Sequence, residues 1–139
     1  IKIAEKKNKN QKNLSFLAMD GGKLEFRDES IDYVLSTFTS HHWKKPLLIF
    51  NEIYRVLKKG GVARIYDGYP GNSDEEIDSL LKFPFNKLPK IFIRKMFSFH
   101  GFSDKECREY RDFLIDIGVF REIKFEPYGF MIKIELKKA

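Results

Sequence analysis

The chain has 139 residues, 42% hydrophobic and 33% charged, a composition that fits one globular domain able to bury its own core without disulfides or structural metals. Its 9 Gly, 5 Pro and 14 Phe exclude collagen-like and disordered classes, and its apolar runs, such as Pro46 to Phe50, fall far short of the roughly 20 residues of a membrane span. The net charge of +6 allows attraction to polyanions but comes with no nucleic-acid motif, so nucleic acid is not expected as a partner.

Ile1 to Lys9 reads as a charged helix with no start signal before it. It lacks the apolar stretch of a signal peptide, and the single Cys107 permits no internal disulfide and no CxxC ligand pair, so a cytoplasmic location is expected. Asn13 to Met19 carries Leu14, Phe16, Leu17 and Met19, a buried-strand pattern that stops at the turn signal Asp20-Gly21-Gly22. Ile31 to Phe38 is almost continuously apolar in its middle, as in a strand covered on both faces of a parallel sheet.

Pro46 is placed as a first helical residue, and Ile49, Phe50, Ile53, Val56 and Leu57 follow at helical spacing up to Gly60, with Lys58 and Lys59 in the expected last turn. Val62 to Tyr66 then reads as a strand, and this alternation points to an α/β layered sheet. Lys82 to Phe102 holds six Phe and five basic residues with no acid, and Pro84 and Pro89 break it into short pieces. Ser103 and Glu106 form a capping-box pattern for a helix that buries Cys107, Tyr110, Leu114 and Ile117 and ends at Gly118. Phe120 to Phe125 and Phe130 to Leu136 flank Pro127-Tyr128-Gly129 as a terminal antiparallel hairpin.

The joint order of FLAMDGGKLEFRDESIDYVLSTFTSHHW (Phe16 to Trp43), NEIYRVLKKGG (Asn51 to Gly61) and VARIYD (Val62 to Asp67) resembles the class I S-adenosylmethionine-dependent methyltransferases, in particular the ubiquinone and menaquinone methyltransferase branch. The resemblance covers about the first half of the chain. It departs from the family pattern at Glu25, Ile31 and Lys59. It also lacks the family's glycine-rich strand-turn-helix and the acidic residue ending the next strand, both of which would precede Ile1. The implied fold is an α/β, Rossmann-like class I methyltransferase sheet with a C-terminal antiparallel hairpin, incomplete at the N-terminus. Its strand order would be 3-2-1-4-5-7-6, with strand 3 at Leu14 to Met19, strand 4 at Tyr33 to Thr37 and strand 5 at Val62 to Tyr66. Residues 1–139 would form the C-terminal part of one domain, with 70–102 as an acceptor-side insertion or lid.

The resemblance implies S-adenosylmethionine as cofactor and methyl transfer to an O, N or C atom of a small acceptor, and an apolar cover formed by the Phe-rich Lys82 to Phe102 would favour a hydrophobic or aromatic one. Asp20 occupies the position whose carboxylate meets the adenine amino group, and Gly21 the position whose backbone N–H meets an adenine nitrogen. The carboxylate is an acceptor for an exocyclic amine, and a small residue lets backbone approach a flat base. Thr37 and Phe38 match the cleft near the methionine part of the cofactor, and Thr37 also stands where ligands sit in open α/β sheets, at a strand's carboxyl end. His42 would lie at the rim of the substrate cleft as a base or orienting group, and Asp67 and Tyr69 point to the acceptor side. Glu52 and Arg55 read as a structural pair three apart on one helix face. His41 and His42 do not make a metal site, because adjacent side chains diverge and no further ligand joins them. With part of the pocket missing, the chain alone is expected to bind cofactor poorly and to be inactive. A non-catalytic, partner-binding module is the alternative, and a homodimer is compatible with either.

Overall fold

A computed structural model describes residues 1–69, 73–75, 78, 89–92, 94–95 and 103–139. Helix α1 (Lys2–Lys7) buries no side chain. Strand β1 (Ile31–Thr37) leads through a 3-10 turn (Ser40–His42) into helix α2 (Pro46–Val56), whose Pro46 sits in the first turn and whose Phe50, Ile53 and Val56 are buried. Strand β2 (Leu57–Gly68) follows at once. Helix α3 (Asp104–Ile117) then precedes β3 (Phe120–Tyr128) and β4 (Met131–Lys138).

Helix α2 ends at Val56, four residues before the glycine at which its apolar spacing predicts a stop. Leu57 is already extended and fully buried. The last carbonyls of the helix are met from elsewhere in the chain: Glu29 N–H donates to Arg55 O at 3.0 Å, Ser30 N–H to Val56 O at 2.9 Å, and Lys138 Nζ to Tyr54 O and Leu57 O at 2.9 Å each. Lys58 and Lys59 therefore lie in β2, and Lys58 pairs with Asp32 at 2.8 Å. A Cβ at Gly61 would stand 2.8 Å from Lys58 O and 3.1 Å from Asp32 O, so glycine is required there by close approach of backbone.

The four strands run in the order β1-β2-β4-β3, with β1 and β2 parallel and the other two pairings antiparallel. This is the 4-5-7-6 portion of the order that the resemblance implies, antiparallel hairpin included. The register puts Val34 beside Ala63, Ala63 beside Leu136, Ile65 beside Ile134 and Asp67 beside Ile132. That face meets α2 and α3, and Phe50, Ile53, Leu57, Ala63, Ile65, Leu114, Ile134 and Leu136 form one core. Burying such aliphatic and aromatic side chains is worth about 1.5–3 kcal/mol each. Helix α3 starts with the predicted capping box, Ser103 and Glu106 each satisfying the other's backbone, and stops at Gly118 with φ +60°.

Two expectations about strands fail. Residues 13–19 form no strand, and Leu14 and Leu17 are 49% and 64% exposed. An extended segment needs a neighbour to satisfy its N–H and C=O groups, and among the described residues none lies beside it. Strand β1 has its ladder partner in β2 but is covered on one face only. Tyr33 and Leu35, on the other face, are 45% and 58% exposed.

Of residues 70–102, proposed as an insertion or lid, the structure describes only Ser73–Glu75, Asp78, Pro89–Phe92, Arg94 and Lys95. Most of that reading lies outside the described residues. No helix among the described residues is long and apolar enough to cross a membrane.

Candidate functional site

The parallel pairing of β1 and β2 brings their carboxyl ends together, and the residues just past those ends interlock. Asp67 is fully buried. Its Oδ2 accepts from Ser40 Oγ at 2.5 Å and from His41 N–H at 3.0 Å, while its Oδ1 lies 2.7 Å from His41 Nδ1 and accepts from Gly68 N–H at 2.8 Å. An ionised carboxylate can only accept, so His41 Nδ1 carries the proton in this pair. The imidazole then presents Nε2 as its acceptor when neutral. Asp67 is thus engaged within the fold by Ser40, His41 and Gly68, and its carboxylate orients the His41 ring.

Phe38 leaves β1 with φ +52°, an uncommon backbone for a bulky residue. Its N–H donates to Tyr66 O at 2.8 Å, and Ser36 and Thr39 share a 2.6 Å hydroxyl hydrogen bond across the bend. These contacts hold the reversal that sends residues 40–42 over Asp67. The Phe38 ring stacks on Phe130 with centroids 6.2 Å apart.

Asp20 and His42, far apart in sequence, line a common cavity of about 420 Å³ together with Gly22, Trp43, Leu48 and Ile49. The Asp20 carboxylate is held by its own turn, Oδ1 accepting from Gly22 N–H at 2.8 Å while Lys23 N–H donates to Asp20 O at 3.0 Å. A Cβ at Gly21 would meet only Ile49 carbons at 3.7 Å, so packing alone does not demand glycine there. Thr37 and Phe38 are not among the walls of this cavity. They stand at the exposed carboxyl end of β1, and Tyr69 lines a separate cleft.

The Asp20 turn is held in place by a clamp on α2. Arg55 donates to Glu52 (2.7 Å to each oxygen), to Leu24 O and Phe26 O (2.8 Å each) and to Asp28 (2.6 Å), while Glu52 accepts from Leu24 N–H at 2.7 Å. The structural pairing of Glu52 and Arg55 read from the sequence is thus extended to the whole 24–28 loop. The hydrogen bond from Arg55 holds the Glu52 carboxyl below its ordinary value near 4.5. Because that pKa is lowered in the folded state, the clamp's contribution is complete above the ordinary value and is lost as pH falls through the lowered one. Arg55→Ala is expected to speed amide exchange at Leu24 and tryptic cleavage at Lys23 and Arg27, and Arg55→Lys to rescue little, since an ammonium cannot reproduce the planar fork. Exchange at Leu24 unchanged in Arg55→Ala would mean that the loop holds itself.

His41 is the partner of Asp67 that sequence reading passed over, since the resemblance draws attention to His42. The available signal was Asp67: a carboxylate at the end of one strand lies next to whatever follows the end of its parallel neighbour, here Ser40 and His41.

The described fold, with its sheet order and the loops gathered at the carboxyl ends of β1 and β2, is that of the class I methyltransferases, and residues 1–65 match the methyltransferase domain family. A demethylmenaquinone methyltransferase of Staphylococcus carnosus (strain TM300) is 25% identical over 135 residues, covering 79% of this chain and 56% of the relative. Among solved structures, a Methanococcus maripaludis protein assigned to the S-adenosyl-L-methionine-dependent methyltransferases superposes with a TM-score of 0.72 at 24% identity, covering 99% of this chain and 59% of that one. A SAM-dependent methyltransferase of Aquifex aeolicus gives a TM-score of 0.63 at 21% identity, covering 98% and 61%. The chain therefore spans less than two thirds of the length of these relatives, and its fold is the one that the sequence resemblance implies.

Proposed function

We propose that the full-length protein is a methyltransferase that binds S-adenosylmethionine and passes its methyl group to a small acceptor. The cavity shared by Asp20 and His42, next to the carboxyl end of β1, carries this reading. Asp20 is suited to the adenine end of the cofactor: its Oδ1 is fixed by Gly22 N–H, and its Oδ2 has no partner among the described residues and can accept from an exocyclic amine. Gly21, the next residue of the same turn, would offer its backbone N–H to an adenine nitrogen. The sulfonium supplies an activated methyl, so the protein's task is to hold donor and acceptor in line and to keep water away.

Thr37 and Phe38 would border the methionine part, and His42 and Tyr69 the acceptor side. An O–H or N–H acceptor must give up a proton. His41, oriented by Asp67, is a candidate for that base beside His42, which lines the cavity itself.

Calorimetry with S-adenosylhomocysteine on the full-length protein tests this reading. Binding is expected, and Asp20→Ala should weaken it by about 1 to 3 kcal/mol, the cost of leaving a buried donor without its acceptor. Asp20→Asn should lose less, since the amide oxygen still accepts. Unchanged affinity in a folded Ala variant rejects the adenine role, and no binding by the parent protein rejects the methyltransferase reading.

A further inference from the structure

A second cleft, of about 310 Å³, opens between α3 and the β3–β4 hairpin, on the same end of the sheet as Phe38 and His41. Tyr69, the first residue past β2, forms one wall, and Asp104, Arg108 and Arg111 form another at helical spacing of four and three. Phe125 and Ile132 supply apolar surface. The Asp104 carboxylate is engaged by the Tyr69 hydroxyl at 2.5 Å. Among the described residues neither Arg108 nor Arg111 has a carboxylate within ion-pair distance, and the Arg111 guanidinium lies over the Phe125 ring, 5.1 Å from its centroid. Ring stacking of this kind restricts the guanidinium plane while leaving its N–H edge available. The Cys107 thiol, also on the cleft, is pushed up to about 11 by burial and by the charges of Asp104 and Glu106, so it is neutral at physiological pH and does not offset the arginines.

We propose that this cleft holds the anionic group, a carboxylate or a phosphate, of a small acceptor with an apolar body, Arg108 and Arg111 being its charge partners and Phe125 and Ile132 its apolar contact. The proposal rests on the methyltransferase reading only in calling the ligand the acceptor. Two guanidinium groups lining one cleft suit a planar or tetrahedral oxyanion, which can take paired N–H donors, and the apolar wall beside them strengthens the attraction by excluding water.

Benzoate, phenyl phosphate and neutral benzyl alcohol, titrated into the full-length protein by NMR, test the proposal, with S-adenosylhomocysteine titrated in parallel. At least one anion is expected to bind and benzyl alcohol not to, with shifts at Arg108, Arg111 and Phe125. Arg108→Gln and Arg111→Gln should each weaken the anion about tenfold, the scale of one lost charge-assisted contact, and should leave S-adenosylhomocysteine affinity as it was. The tighter of the two anions identifies the oxyanion. Equal binding of charged and neutral probes, no binding of either anion, or anion affinity unchanged in both variants overturns the proposal. A protein that binds the anions as expected but not S-adenosylhomocysteine keeps the oxyanion cleft and loses the methyltransferase reading.

Discussion

Asp67→Ala is expected to destabilise the protein by about 3 to 5 kcal/mol, the range seen when one partner of a buried charged network is removed. The carboxylate is fully buried and takes four hydrogen bonds, from Ser40 Oγ, His41 N–H, His41 Nδ1–H and Gly68 N–H. Removing it leaves several donors with neither water nor a protein acceptor. Asp67→Asn should recover only part of the loss. The amide oxygen can replace Oδ1, but the NH₂ group then confronts the His41 N–H, donor to donor, although the Ser40 hydroxyl can turn to accept. Against a typical total stability of about 5 to 15 kcal/mol, the Ala variant should show a much lower urea midpoint, and any activity of the full-length protein should fall with loss of His41 orientation. A variant within about 1 kcal/mol of the parent would mean that solvent replaces the carboxylate and that the network is dispensable.

Lys138→Ala is expected to cost about 2 to 3 kcal/mol, for two charge-assisted hydrogen bonds offset by relief of the buried ammonium. Its Nζ closes the end of α2 from the last strand, donating to Tyr54 O and Leu57 O at 2.9 Å each, and it lies 4.4 Å from the centroid of the Tyr54 ring. Lys138→Met keeps most of the apolar stem and removes the donors, so it separates packing from capping. Equilibrium denaturation should place Met between Ala and the parent. Parent-like stability in the Met variant would assign the effect to the stem. Glu29, 3.3 Å from Nζ and half exposed, should tolerate Ala with little change, as exposed ion pairs do.

Much of the fold is legible without coordinates because its signals are local. Pro46 at the start of α2, the Ser103–Glu106 capping box, Gly118 in the left-handed conformation and the alternation of Ile132, Ile134 and Leu136 all act through neighbours a few residues away. The ordered motifs from Phe16 to Asp67 likewise carry the class, since a strand, a turn and a helix in a fixed sequence leave a fixed imprint in residue type. Asp20 and His42 are named from their positions in those motifs, as the resemblance implies.

What the tertiary structure decided depends on partners distant in the chain. Apolar spacing continues past Val56, yet α2 stops there because loop amides at Glu29 and Ser30 and the ammonium of Lys138, over 80 residues away, take its carbonyls and let Leu57 enter the sheet as a buried extended residue. Residues 14–19 have the composition of a strand but not its structure, because strand character is realised only against a neighbouring ladder and none of the described residues provides one. His41 gains its partner, Asp67, only because β1 and β2 pair in parallel and in a register that sets their carboxyl ends side by side, a long-range choice that neither segment specifies alone.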